Sequence, residues 1–451
     1  MLGTVDIEVG LLRGLACDER PSIRGWMVGV LGAPRLRDRS CGCREMLLMT
    51  TGLRRSGHCA ARRLLSLLLA CLVLAACTES PPDGGQTPEP SSPAAAIERD
   101  YWPTAGWRTA SASDHGVDPT QLAMLEDHIA TAYPHLRSLV VVRHGYLVYE
   151  HYRKGLDETS GHDVRSVTKS VVGALVGCAL AEGRITSLDQ PVEELLRPHV
   201  SAGGDPRFAD VTVKHLLTMT AGLPGDDPNQ GGDPRVSEAM WASPDWIHHI
   251  LSQQLVSEPG TQFAYNDPDA HLLSAIVADV SGQSTLDYAR TRLFGPLGIR
   301  AEDSYEPTLG PQLDDATIDA YERSSSAWPV DPQGYNFGAA FLRLPARDLA
   351  KFGYLYLNGG SWDGRQLIPA DYVAAATSAT GSPTNVSAGY GWLWWVGTEG
   401  GRTFMARGHG GQLIYVAPEL DLVVVATSDP EAGGLDPKIL VSQSIVPAVT
   451  P

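Results

Sequence analysis

Lysine is scarce in this chain, with five residues against thirty arginines. Cysteine is scarcer still beyond the N-terminal region. Six of the seven cysteines lie at or before position 77, and only Cys178 follows. That distribution excludes a disulfide framework and a thiolate zinc site in the body of the protein. The local pair Cys41 and Cys43 is too little to hold a metal. No serine sits in G-x-S-x-G, and there is no H-E-x-x-H or phosphate-binding loop. The histidines are scattered, and "IHHI" around His248 and His249 lacks the one-face spacing of a helical metal pair. No cofactor and no metal is expected. Basic charge is also short, since the formal net charge is −17. The first 76 residues carry eleven basic and six acidic side chains, so the remainder holds 24 basic against 46 acidic. That balance argues against a nucleic-acid partner.

No apolar run reaches the roughly 20 residues of a membrane-spanning helix. The longest, Leu64 to Ala76, has thirteen mostly apolar residues after Arg62 and Arg63. It suits the core of a secretory signal. Its end, "LAAC", resembles a bacterial lipobox, which makes Cys77 the expected first mature residue and lipid carrier. An ordinary secretory signal with a chance cysteine is the alternative. A signal should begin a chain, and Met49 would give it an n-region of ordinary length, so no function is drawn from residues 1–48. "TESPPDGGQTPEPSSPAAA" cannot bury a core and reads as a flexible tether. The expected organisation is an extension and signal over 1–76, a tether over 77–100, and a folded domain over 101–451. The protein is expected outside the cytoplasm, anchored to the membrane through lipid.

Periodicity outlines the domain. "PTQLAMLEDHIATAY" reads as an amphipathic helix. "SLVVVRHGYLVYEHY" reads as a hairpin about His144 and Gly145. Residues from about 185 to 330 are helical segments joined by Pro/Gly/Asp loops. "ARDLAKFGYLYLNGG" is a helix. "GYGWLWWVG", "RTFMARGHGGQLIYVAP" and "LDLVVVATSD" are antiparallel strands, and "PKILVSQSIVPAV" is a closing helix. The expected class is α+β: one antiparallel sheet built from both chain ends, flanked by helices, with a mainly helical lobe inserted.

One lysine stands apart. Lys169 alone has a serine three positions before it, in "SVTKSVVGALVGCALA". The residues after Ser166 are apolar nearly all round, so this helix should be buried. Three positions place Lys169 on the same face as Ser166. Burial disfavours an ammonium, so such a lysine is expected to work as a base for the serine hydroxyl. A helix N-terminus also favours developing negative charge. Serine as an N-cap and lysine as a surface residue is the plain alternative.

Other stretches decide between these readings. The chain resembles the serine β-lactamase and penicillin-binding-protein superfamily, whose nucleophile motif is S-x-x-K. It looks closest to the class C-like branch of esterases, D-aminopeptidases, DD-carboxypeptidases and 6-aminohexanoate-oligomer hydrolases. The second motif, Y-x-N or a variant, corresponds to Tyr265, Asn266 and Asp267. The third, a K-T-G or H-x-G strand, corresponds to His409, Gly410 and Gly411. The resemblance implies a β-lactamase/transpeptidase-like fold and an acyl-enzyme on Ser166. Lys169 and Tyr265 would be general bases, and the backbone N–H groups of Ser166 and Gln412 an oxyanion hole. Asp267, His409, Gly410 and Gly411 would meet substrate, the two glycines letting it approach the strand edge. Trp392, Trp394 and Trp395 are candidates for the cleft wall, with at least one of them in the core.

The sequence departs from the pattern twice. Asp267 stands where asparagine is common, and His409 where lysine is common. Both changes remove affinity for an anionic substrate. The expected reaction is therefore hydrolysis of a small-molecule ester, amide or peptide. A β-lactamase or DD-carboxypeptidase is the alternative, and a catalytically silent, membrane-tethered binding module is the alternative of another class.

Overall fold

The computed structural model describes residues 99–450, apart from 201, 202, 311, 312, 381–386, 399 and 400. Cys77, the signal and the tether as far as residue 98 lie outside the described residues, whereas Arg99, expected within the tether, pairs with Asp421 at 2.7 Å. Among the described residues no helix is long and apolar enough to cross a membrane.

Helix α1, Leu125–Ala132, precedes strands β1, Leu136–Arg143, and β2, Tyr146–Tyr152. The stretch expected as one helix is two, because the chain breaks at Met124 after a first piece, Pro119–Ala123. His144 and Gly145 both take positive φ, 52° and 82°, as a tight two-residue hairpin requires. Helix α2, Val167–Ala181, follows, and thirteen of its fifteen residues are buried. The inserted lobe holds helices α3, Arg235–Trp241, and α4, Asp267–Ser281, among short turns. Helix α5, Ala346–Leu357, returns the chain to the sheet.

Five strands finish the molecule: β3, Gly389–Tyr390; β4, Trp395–Gly397; β5, Thr403–Gly408; β6, Gln412–Ala417; and β7, Leu422–Ser428. The stretch "GYGWLWWVG" is thus a tight hairpin and not one strand. Gly391 N–H donates to Trp394 C=O at 2.8 Å, and Leu393 turns at φ 59°. The sheet order is β2-β1-β7-β6-β5-β4-β3, and every pair is antiparallel. Val140 to Val142 of β1 lie against Val423 to Val425 of β7, so the two chain ends share the centre of the core. The closing segment is a short α-turn, Pro437–Leu440, continued by a π-turn and a 3₁₀ turn. The α+β architecture expected from the sequence is the one observed.

Candidate active site

A short ladder, Gly161–Asp163 against Arg343–Pro345, delivers the chain to Ser166. Arg165 then turns at φ 49°, a conformation that costs a non-glycine residue energy. Several contacts hold it there. Arg165 N–H donates to Asp163 Oδ1 at 2.9 Å, and Thr168 Oγ1 donates to Arg165 C=O at 2.6 Å. The Arg165 guanidinium pairs with Asp163 at 3.2 Å and Glu431 at 2.6 Å, and lies over the Phe341 ring. The kink sets Ser166 at the N-terminus of α2, where it is half-buried.

Lys169 is one turn on and 1% exposed. Its ammonium donates to Ser166 Oγ at 3.2 Å, to Ala339 C=O at 3.1 Å and to Asp267 Oδ1 at 2.6 Å. It also sits 4.9 Å from the centre of the Tyr265 ring. Burial alone would lower its proton affinity, but Asp267, Tyr265 and Asp226 together outweigh burial. The net direction is upward from the ordinary 10.5. This corrects the sequence argument, because burial does not leave Lys169 a neutral amine at rest. Asp267, expected from the sequence to meet substrate, turns its carboxylate onto Lys169.

Tyr265 precedes α4 in a loop and is buried. Its ring stacks on Trp395 at 5.3 Å and meets the edge of Tyr390 at 6.1 Å. Its hydroxyl interacts with Ser166 and Lys169. Burial holds the phenol above its ordinary value, against the opposing effect of Lys169. Asn266 caps α4 by accepting from Asp269 N–H at 2.7 Å. That cap fixes Asp267 in the first turn, where the helix favours its charge.

Two further carboxyls lie behind this row, and the sequence reading missed both. Asp226 accepts from Asp267 N–H at 2.7 Å and from the hydroxyl of Ser237. Burial first, then the charge of Asp267, pushes it up to about 7 from an ordinary 3.8. Asp269 is fully buried and its carboxyl is raised by that burial. A pair of aspartates in the Gly/Pro-rich stretch "PGDDP" was the only trace of Asp226 in the sequence.

The third motif forms the turn from β5 to β6. His409 is exposed on it. Gly410 and Gly411 take φ 75° and 90°. A Cβ on Gly410 would stand 2.3 Å from Pro430 Cα, and one on Gly411 would stand 2.8 Å from Pro437 Cδ. The chain's own 430–437 loop therefore requires both glycines, an internal reason that the sequence did not show. Gln412 spends its side-chain amide on the main chain of Ser428, in both directions. Of the tryptophans, Trp395 backs Tyr265 and Trp392 packs on Tyr372. Trp394 is core, between Phe352, Tyr356 and Phe404. Among the described residues no group of three or more His, Cys, Asp or Glu could hold a metal ion.

The chain is similar to several known proteins. A 6-aminohexanoate-dimer hydrolase of Paenarthrobacter ureafaciens is 26% identical over 345 residues, 69% of this chain and 80% of its own length. An uncharacterised protein of Alkalihalophilus pseudofirmus is 24% identical over 316 residues, 64% of this chain and 82% of its own. The octameric penicillin-binding protein homologue from Pyrococcus abyssi shares the fold at a TM-score of 0.51 and 20% identity, covering 71% of this chain and 75% of that one. Residues 128–436 match the β-lactamase family. The chain belongs to the β-lactamase family and, with it, to the serine hydrolases.

Proposed function

We propose that this protein cleaves esters or amides through an acyl-enzyme on Ser166, with Lys169 and Tyr265 handling protons. The observation that carries the reading is the 3.2 Å contact between Lys169 Nζ and Ser166 Oγ at the mouth of a buried helix. Ser166 attacks the carbonyl carbon, and its proton passes to Lys169, with the Tyr265 hydroxyl beside both, as the Lys169 ammonium gives up one of its own. The N–H groups of Ser166 and Gln412 receive the developing oxyanion. The proton returns to the leaving group as the bond breaks, and water then releases the acyl group.

Substrate class follows from charge. His409 stands where a lysine would grip a carboxylate. Losing a charge-assisted hydrogen bond weakens binding by about 1.5–3 kcal/mol, roughly 10- to 150-fold. A neutral ester does not need that contact, nor does an amide of a neutral or cationic amine. The name of the Paenarthrobacter relative, 6-aminohexanoate-dimer hydrolase, is consistent with the second.

The test is covalent labelling with a fluorophosphonate, followed by turnover of short-chain p-nitrophenyl esters against penicillins and cephalosporins. Ester turnover should be clear and β-lactam turnover weak, and Ser166→Ala should abolish both labelling and turnover. His409→Lys should raise reactivity toward β-lactams relative to esters. An unlabelled wild type would favour the silent binding module, and faster cephalosporin turnover would favour the β-lactamase.

A further inference from the structure

Four groups stand in line behind the nucleophile. Ser166 Oγ is 3.2 Å from Lys169 Nζ, and Lys169 Nζ is 2.6 Å from Asp267 Oδ1. Asp267 is anchored in turn by its N–H to Asp226 Oδ2 at 2.7 Å. Ser237, from α3, closes the row by donating to the same oxygen of Asp226. The acid–base assignment above leaves Lys169 as an ammonium at rest, and an ammonium cannot accept the proton of Ser166. Lys169 must therefore pass a proton onward as it takes one.

We infer that Asp226 is a positioning residue of this site: its carboxylate holds Asp267 against Lys169 and lets Asp267 receive the proton that Lys169 must shed. The step balances. As Ser166 Oγ bonds to the substrate carbonyl carbon, its O–H bond breaks and the proton goes to Lys169 Nζ. One N–H bond of Lys169 breaks in the same movement, and that proton goes to Asp267 Oδ1. Collapse of the tetrahedral intermediate reverses the transfers and delivers one proton to the leaving group. With Asp226 ionised, two neighbouring carboxylates face one ammonium, and the extra proton relieves their repulsion. With Asp226 protonated, that repulsion is gone and the row has no ready seat for the proton.

The groups that face Asp226 come from three helices and a loop. They are Lys169 on α2, Ser237 on α3, Asp267 and Asp269 on α4, and Tyr265 before α4. Its position near 7 follows from burial and from Asp267, while Lys169 and Ser237 pull it down. A group that accepts or releases a proton near the working pH is well placed for acid–base work.

This inference rests on the proposed acyl-enzyme, and one experiment separates the two. The rate of fluorophosphonate labelling of Ser166 is followed from pH 5 to 9 in wild type, Asp226→Asn and Ser237→Ala, with ester kcat and KM alongside. Wild type should show a limb that rises through about pH 7. Asp226→Asn should lose the limb and remain at the low-pH rate, at least tenfold below wild type at pH 8, through kcat and not KM. Ser237→Ala removes a hydrogen bond to the ionised form, so its limb should move to higher pH. Ser237→Ala also decides the matter if Asp226→Asn fails to fold. A wild type unlabelled at every pH overturns the acyl-enzyme itself. A labelled wild type without the limb, or a limb unmoved in the variants, overturns the role of Asp226.

Discussion

The ammonium of Lys169 lies closer to the Asp267 carboxylate, at 2.6 Å, than to the Ser166 hydroxyl, at 3.2 Å. Asp267 is 98 residues downstream and only partly exposed. The lysine of the nucleophile motif is therefore one half of a buried ion pair before it is anything else.

The first consequence concerns stability. Removing one partner of a buried pair costs about 3–5 kcal/mol. Lys169 ionises above its ordinary 10.5 in the fold, so the stabilisation is complete below that value. It is lost only as pH rises through the lysine's higher folded value. At pH 7 Asp267→Asn should thus lose it in full, lowering the urea midpoint at an unchanged slope. The gap from wild type should narrow only in strongly alkaline solution. Equal midpoints at pH 7 would refute the pairing.

Lys169→Arg keeps the charge but not the chemistry. A guanidinium cannot give up its proton, and it is larger than a slot closed by Ser166, Ala339 and Asp267. Ester turnover should fall at least about 100-fold, the lower range for loss of a general base. The double variant with Ser166→Ala should be little worse than either single one. Labelling near the wild-type rate in Lys169→Arg would contradict the assignment.

Asp226 sets a second pH dependence, of opposite sign to that of an ordinary paired carboxylate. Its proton is held up to about 7 in the fold against an ordinary 3.8. The contribution is complete below pH 3.8 and lost as pH rises through about 7. The span corresponds to about 4 kcal/mol. Asp226→Asn should be more stable than wild type at pH 8, with the difference shrinking toward pH 4. Denaturant melts across that range measure it, and a variant less stable at pH 8 would refute it.

Cys77 offers a separate test at the other end of the chain. Expressed in a bacterium that processes lipoproteins, the protein should partition with membranes. Cys77→Ser should shift it to a soluble or uncleaved form. Wild-type protein that is fully soluble, with Cys77 unmodified, would remove the anchor.

The S-x-x-K stretch, the hairpin at His144 and the C-terminal strands were legible because each is written in consecutive residues. Period and turn chemistry are local, and they survive folding here. Trp392 to Trp395 misled because an apolar run hides a turn whose hydrogen bond, Gly391 to Trp394, carries no compositional mark. The charge state of Lys169 was not legible at all. It depends on Asp267, and the setting of Asp267 depends on Asp226, 41 residues before it. Ser237, which steadies Asp226, is a further 11 residues along a loop-rich path. No periodicity connects positions that only the returning lobe brings together.

The pairing of β1 with β7 has a consequence in time. Arg143 faces Leu422, so about 280 residues are made between the two halves of the central ladder. At roughly 5–20 residues per second, synthesis leaves β1 without that neighbour for about 14 to 56 seconds. During that interval its row of valines has only the β2 hairpin beside it, and a two-stranded hairpin is marginal alone. The Ser166 turn cannot be braced by Glu431 until residue 431 has been made, 266 residues after Arg165. Until then the turn before the nucleophile lacks that brace, and β1 keeps an open edge. A chaperone that holds extended chains would raise its yield more than one that acts on the finished fold.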